Sequence, residues 1–365
     1  NNIYGLSVSS TSNTAEINGI RVAGGTTTYA NNMIALGGSV TNANIINGIV
    51  EPSGTDNFYH NSVYIGGSPT AGTGNSFAFN STVTTNTRNF RNNIFVNARN
   101  NSGATGKNYA VQVGGTAPNP AGLTINYNVY NVSGTGGVFG RFNSLDVASL
   151  GAWKTGVGQD ANSINADPQF ADPTNSTPDL HIGVSPTPVE GSGVLIGTVT
   201  DDFDGQTRSG LTPTDIGADA GNFTAAPSMV YVSSTATQVT ASGCAGANRV
   251  QILRMEVVTT GALNPLTLTS LTINGNGTSN FADLAAFRIF YTGTSNVFSN
   301  SNPINAATAG LTASDVVVLP TTGTVTLAEG TNYFWLAYNL NTTVTGPDLD
   351  GEFTNVVLST GGGTP

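Results

Sequence analysis

Asparagine-led apolar segments recur along the first part of the chain: "NNIYGL" at 1, "NNMIALGG" at 31, "NSVYIGG" at 61, "NNIFVN" at 92 and "YNVYNV" at 127. Laid over one another, they place Asn1, Asn32, Asn61 and Asn92 in one column, with Tyr127 in the fifth place. Two residues on, Ile3, Ile34, Val63, Ile94 and Val129 form an apolar column with steps of 31, 29, 31 and 35. A second series, Ile20, Ile49, Phe77, Val111 and Phe139, advances by 29, 28, 34 and 28. Matching periods in a fixed order predict at least two strands per turn, and β-branched or aromatic inward residues suit strands rather than helices. Clusters of Gly, Ser and Thr such as "VAGGTTTYA" and "IGGSPTAGTG" punctuate the turns. A parallel β-solenoid satisfies this pattern, because a single coil has no partner for its apolar face and stacked coils supply one.

Strand alternation turns the Asn column to the same side as the apolar column. A buried amide needs partners, so Asn1, Asn32, Asn61 and Asn92 are expected to stack as a structural ladder; turn formation alone is the other reading. One position after the inward column stand Tyr4, Ala35, Tyr64, Phe95 and Tyr130, which alternation points away from the core. Tyr4, Tyr64, Phe95 and Tyr130 are therefore candidate ligand-binding residues, an aromatic row for sugar rings or a neighbouring protein. Cover by a loop of the same turn is the other reading.

Near "GNFTAAPSMVYVSS" the thirty-residue spacing stops, and alternating segments follow, among them "RVQILRMEVVTTG", "LTLTSLTING", "AAFRIFYTG" and "GTNYFWLAYNL". Short strands between Gly, Asn and Thr turns predict two packed antiparallel sheets. The fold class expected is all-β, a parallel β-helix followed by an antiparallel β-sandwich. The boundaries are 1–221 for the coils, 222–227 for a linker, 228–360 for the sandwich and 361–365 for the start of another linker. Within "YFWLAY", Tyr333 and Trp335 share one face of a strand and Phe334 and Leu336 the other, with Trp335 read as core ahead of ligand platform.

Composition narrows the function. Only 9% of the 365 residues are charged, the net charge is -10, and the lysines are Lys107 and Lys154 alone, so phosphate backbones have no basic patch to meet. Nucleic acid is excluded as a partner. Cys244 is the single cysteine, which precludes an intrachain disulfide, and it has no adjacent histidine to activate it. No apolar run approaches twenty residues, so no transmembrane segment is expected. The chain opens inside a repeat and closes on "STGGGTP", like a piece of a longer protein. An upstream continuation or cover is expected at the first coil, since an open solenoid end invites stacking.

Candidate chemistry is thin. Glycoside hydrolysis calls for two neighbouring carboxylates, yet Glu16, Glu51, Asp56 and Asp146 do not repeat at the coil period. Asp160, Asp167 and Asp172 lie beyond the aligned strands, where a loop can still bring two together. His60 and Arg91, 31 residues apart, are an acid–base candidate at the position before the Asn column, with a solvated corner as the plainer reading. No catalytic residue and no metal ligand is assigned. Asp201, Asp202, Asp204 and Gly205 look like the start of a calcium loop, but the twelfth positions are Thr212 and Pro213, so no EF-hand follows. A tight turn with Arg208 paired to an aspartate is the plainer account, and calcium is the one cofactor left open.

The coils resemble the right-handed parallel β-helix family, pectate-lyase-like, whose turns often carry Asn ladders. The resemblance covers roughly 1–221. "NADPQFADPTNSTPDLHI" and "SPTPVEGSG" look like the last coils of secreted members, and "DDFDGQTRSGLTPTDIGADAG" resembles their usual ending. The family holds polysaccharide-cleaving enzymes, adhesins and passive surface proteins, so the fold does not choose among them. Residues 228–360, through "NRVQILRMEVVTTGALNPLTL", "FADLAAFRIFYTGTSNVF" and "LAEGTNYFWLAYNL", resemble the accessory sandwich beside sialidase-type repeats in secreted Bacteroidota proteins. The resemblances together imply a secreted or cell-surface, extracellular, structural or adhesive protein. In it a non-catalytic solenoid stalk carries an accessory sandwich and is able to assemble into a filament or sheath. Surface glycans, other surface proteins or further copies of the chain are the implied partners. The alternatives are a polysaccharide lyase or glycoside hydrolase with catalytic residues upstream or in the last coils, and a carbohydrate-binding module.

Overall fold

The computed structural model describes residues 1–183, 186–240, 243–322 and 325–365. It separates into two compact units, Asn1–Ala226 and Pro227–Pro365. In the first unit the chain winds as a right-handed parallel β-solenoid. Three full coils run β1 (Asn2–Tyr4), β2 (Glu16–Arg21), β3 (Thr28–Ala30); β4 (Met33–Leu36), β5 (Ile45–Glu51), β6 (Asn57–Tyr59); and β7 (Ser62–Ile65), β8 (Ser76–Ser81), β9 (Arg88–Arg91). A fourth follows with β10 (Ile94–Asn97), β11 (Asn108–Val113) and β12 (Leu123–Asn126). The fifth holds β13 (Val129–Val132), β14 (Gly137–Phe142), β15 (Leu145–Val147) and helix α1 (Leu150–Val157), and β16 (Ile164–Asn165) opens a sixth.

The strands stack into three sheets, β1-β4-β7-β10-β13-β16, β2-β5-β8-β11-β14-β15 and β3-β6-β9-β12. All pairs are parallel except β14 with β15. The third sheet goes beyond the two strand series legible in the sequence. Its inward column is Tyr29, Phe58, Phe90 and Ile125, and the rings of Tyr29 and Phe58 stack at 5.1 Å. In the second sheet the inward column is Ile20, Ile49, Phe79 and Val111; Phe77 instead pairs with Asn47 and Tyr109. The coil stack is closed by α1. Ser149 caps its start by accepting the Ala152 N–H, and Trp153 packs among Tyr130, Phe139 and Phe142. Gly140 leaves room for that indole, since a Cβ there would stand 2.9 Å from the ring.

Parallel coiling ends at β16. Residues 166–183 and 186–221, expected from the sequence to belong to the coils, fold back instead, with the residues up to 226, as a strap over the outer face of the first sheet. Their strands β17 (Phe170–Asp172) and β18 (Asp179–Ile182) form an antiparallel pair of their own. Leu180 and Ala218 pack on Met33 and Ala35, while Val189 and Ile216 pack on Ile94, Val96 and Val129. The physical reason lies in that outer face, which is apolar and would otherwise be wet.

The second unit holds β19 (Val230–Gln238), β20 (Val250–Thr260), β21 (Leu268–Asn274), β22 (Leu284–Tyr291), β23 (Val316–Val318), β24 (Gly330–Leu340), β25 (Glu352–Leu358) and β26 (Gly362–Gly363). They form two antiparallel sheets, β19-β20-β24-β22 and β23-β21-β25-β26, around one apolar core. Alternation along β24 sends Phe334, Leu336 and Tyr338 into that core. Trp335 lies on the other face, buried with Phe290 under Phe298, and its Nε1–H donates to Thr292 at 3.0 Å. Cys244 is exposed. Among the described residues no helix is long and apolar enough to cross a membrane.

Candidate functional site

An amide ladder runs through the coils. Asn1 donates to Asn32 at 2.8 Å, Asn32 to Asn61 at 2.7 Å, Asn61 to Asn93 at 2.9 Å and Asn93 to Asn128 at 3.1 Å. The hydroxyl of Ser163 then accepts the main-chain N–H of Asn128. The fourth rung is Asn93, not Asn92. Asn92 belongs to a different column, Asn31, His60, Asn92 and Tyr127, whose backbones all take the left-handed conformation with φ between 52° and 59°. This is the corner between coils, and asparagine enters that conformation more readily than most residues.

The same one-residue offset changes the aromatic row. The register pairs Ile34 with Val63, Val63 with Phe95, and Phe95 with Tyr130, so Phe95 and Tyr130 point inward and are fully buried. Ile94 and Val129 face outward, beneath the strap. The outward series is Tyr4, Ala35, Tyr64, Val96 and Asn131. Of the four aromatics expected on that surface, Tyr4 is exposed and Tyr64 half-buried. Tyr64 lines a cavity of about 420 Å³ between the first sheet and the strap, together with Leu6, Ala35, Pro173 and Asn175.

His60 is not at a solvated corner. It is 1% exposed, its Nε2 accepts from Asn92 Nδ2 at 2.9 Å, and its Nδ1 has no partner. Asn92 in turn holds the strap by exchanging hydrogen bonds with the main chain of Val194. Arg91 aligns with Tyr59 rather than with His60, and its guanidinium lies over the Tyr59 ring at 5.2 Å. Burial, with Arg208 nearby, holds the His60 imidazole well below its ordinary pKa of 6.5. The folded state thus refuses a proton that the unfolded chain accepts. Stability present above pH 6.5 is lost as the pH falls below it. One of the two histidine ring signals is therefore expected to keep its neutral-form NMR shift from pH 8 to pH 5. A normal titration of both would sink this assignment.

The carboxylates take positions that coil periodicity did not reveal. Glu51 and Asp56, both fully or almost fully buried, are near each other and near the buried Arg88 inside the solenoid. Ser81 donates to Glu51 Oε2 at 2.6 Å, whereas Oε1 has no partner. Asp160 accepts from Tyr130 at 2.6 Å, from Trp153 at 2.8 Å and from Ser163. Burial raises its pKa, and those bonds pull it back. Asp167 and Asp172 serve local turns by accepting from the Gln169 N–H and from Asn175. Asp146 meets Lys107 and Tyr109.

The Asp-rich ending grips the coil corner. Arg208 donates to Asn31 Oδ1 and to the carbonyls of Asp201, Gly217 and Ala218, so its partner at Asp201 is the main chain and not a carboxylate. Asp202 is spent on the N–H groups of Asp204, Gln206 and Ala220. Asp204 turns away to His181, whose Nε2 lies 3.0 Å from it while Nδ1 lies 2.5 Å from Asp179. Burial lowers the His181 pKa, but the bond to Asp179 and the charges of Asp219, Asp179 and Asp204 outweigh it and raise it overall. The alternation Asp179–Leu180–His181, with Leu180 buried, was the sequence signal for this grouping.

A second groove, about 470 Å³, lies on the outer face of the second sheet. Glu16, Arg21, Asn80, Gln112 and Arg141 line it beside Phe77. Its floor is tied by Asn47 donating to Asn18 at 2.8 Å and Asn80 to Asn47 at 3.0 Å. Phe77 stacks on Tyr109 with centroids 4.9 Å apart.

Residues 244–360 match the family described as the N-terminal domain of BNR-repeat neuraminidase. The match lies within the second unit. No curated protein matches the chain.

Proposed function

We propose that the chain is part of an extracellular structural or adhesive protein, its solenoid a stiff stalk that holds a glycan in the groove of the second sheet. The observation that carries this reading is the groove's lining of amides and guanidinium groups beside an aromatic side chain. Such groups offer paired donors and acceptors to sugar hydroxyls, and their positions are fixed because they stand on stacked strands rather than on loops. The amide ladder and the strap supply the stiffness. Glu51, Asp56 and Asp160 are buried, and Glu16 is the one carboxylate among the groove's lining residues, which favours binding over cleavage by a carboxylate pair.

A glycan array probed with the full chain tests the reading. The wild-type protein is expected to retain a subset of polysaccharides, and Gln112→Ala or Arg141→Ala to weaken retention at least about tenfold. Tyr64→Ala is expected to leave it unchanged. Loss on Tyr64→Ala alone would move the ligand to the cavity under the strap. No retention, or retention indifferent to the groove variants, would overturn the proposal. New reducing ends or unsaturated products from a retained polysaccharide would place the protein among the enzymes.

A further inference from the structure

We propose that Glu190 and Asp215, buried side by side in the strap, form a proton-sharing latch: it holds the end of the strap on the first sheet while one proton lies between the two carboxyl groups, and lets go when that proton is lost. The two side chains belong to residues 5% and 1% exposed, and they stand within hydrogen-bond reach of each other. An ionised carboxylate only accepts, so a hydrogen bond between the two exists only while one of them carries the proton. Without it, two like charges share one dry site.

The main chain brings the pair together. The Ile216 N–H donates to Val189 O at 3.2 Å and the Gly193 N–H to Thr214 O at 2.9 Å, which joins the two stretches that carry the carboxyl groups. Asp215 Oδ1 accepts the Gly191 N–H at 3.1 Å, and its Oδ2 accepts the Gly221 N–H at 3.0 Å. Glu190 Oε2 accepts the Phe223 N–H at 2.9 Å. The pair thus ties three stretches of the strap, around 190, 215 and 222. Val189 and Ile216, each next in sequence to one of the carboxyl residues, are buried against Ile94, Val96 and Val129 of the first sheet. Whatever drives the carboxyl groups apart therefore loosens the two apolar anchors beside them.

The surroundings offer little to quiet a second charge. Burial raises the Asp215 pKa from 3.8 to about 7; the N–H groups of Gly221 and Gly191 oppose this, and Glu190 adds to it. Toward the first sheet the neighbours are Ile94, Val96 and Val129, none of which titrates. Arg208 is the cation that acts on Asp215, yet its hydrogen bonds go to Asn31 and to main-chain carbonyls rather than to either carboxyl group. The closed strap keeps a proton that the open strap releases to water. Its closure is full below pH 3.8 and weakens as the pH rises to about 7. Opening bares the apolar outer face of the first sheet around Ile94, Val96 and Val129.

The latch does not rest on the glycan reading. Amide hydrogen exchange of the full chain, corrected for the intrinsic rate at each pH, follows the strap at pH 5.5 and pH 8.5. Between the two, protection of the Gly191, Ile216, Gly221 and Phe223 amides is expected to fall at least about tenfold more than that of the Val63 and Phe95 amides in the coil strands. Glu190→Gln keeps an acceptor for the Phe223 N–H and cannot ionise, so it is expected to hold the strap amides protected at pH 8.5. Glu51→Gln, inside the solenoid, is expected to leave the response of the strap amides as in the wild type. Carboxyl-carbon NMR shifts of the wild type decide the matter if Glu190→Gln fails to fold: the pair is expected to hold one proton at pH 5.5 and to release it at about pH 7. Strap protection that changes no more than that of the coil strands, a Glu190→Gln protein as pH-sensitive as the wild type, or a pair fully ionised at pH 5.5 would each refute the latch.

Discussion

Asn61→Ala is expected to lower the stability of the solenoid by about 3 kcal/mol. Asn61 is a central rung and is fully buried. Its Oδ1 accepts from the main chain and the side chain of Asn32 at 3.2 and 2.7 Å, and its Nδ2 donates to Tyr29 O at 3.0 Å and to Asn93 Oδ1 at 2.9 Å. Alanine removes all of these and leaves the Tyr29 carbonyl and the Asn32 N–H without them in a dry interior. The cost is that of unsatisfied groups rather than of average hydrogen bonds, which is why it exceeds about 1 kcal/mol. Asn2→Ala, on an exposed position of β1, is expected to change stability by under ~0.5 kcal/mol. Urea unfolding of the first unit's transition measures both, and equal midpoints would contradict a ladder that bears stability.

The second large effect concerns Glu51. Burial raises its pKa from 4.5 to about 7; the Ser81 bond opposes this, Asp56 adds to it and Arg88 opposes it. The folded state therefore keeps a proton that the unfolded chain releases, so stability is full below pH 4.5 and falls as the pH rises to about 7. About 2.5 pH units at about 1.4 kcal/mol each give a loss of about 3.5 kcal/mol across that window. Glu51→Gln keeps an acceptor for Ser81 and cannot ionise. It is expected to be the more stable protein at pH 8 and to remove the share of the slope between pH 5 and pH 8 that Glu51 contributes. Raised pKa values at Asp56 and Asp215 leave a residual slope of the same sign. A variant as pH-sensitive as the wild type would mean that Glu51 does not ionise inside the fold.

The misplaced rung shows what a single sequence leaves open. In "NNIYGL" the first asparagine, Asn1, is the rung, whereas in "NNMIAL" and "NNIFVN" it is the second, Asn32 and Asn93, and the first turns the corner. Both roles suit asparagine, one through its amide and the other through its tolerance of positive φ. The letters alone therefore permit either alignment. A slip of one residue then turns every later side chain to the other face. This moved Phe95 and Tyr130 from the expected surface into the core and brought Ile94 and Val129 out beneath the strap.

Periodicity by itself determined that the chain is all-β, that it coils about every thirty residues, and that the pattern gives way to alternating strands near residue 228. These follow from local spacing of apolar and turn residues, which neighbours in sequence suffice to fix. Only the tertiary structure decided the third sheet, the fold-back of the strap, and the gathering of His181, Asp204 and Asp219. Each depends on contacts far apart in the chain. Asn31 meets Arg208 across 177 residues, and Asn92 meets Val194 across 102. Such contacts are chosen by which apolar face remains uncovered once the coils have stacked, a property of the assembled surface that no stretch of sequence carries alone.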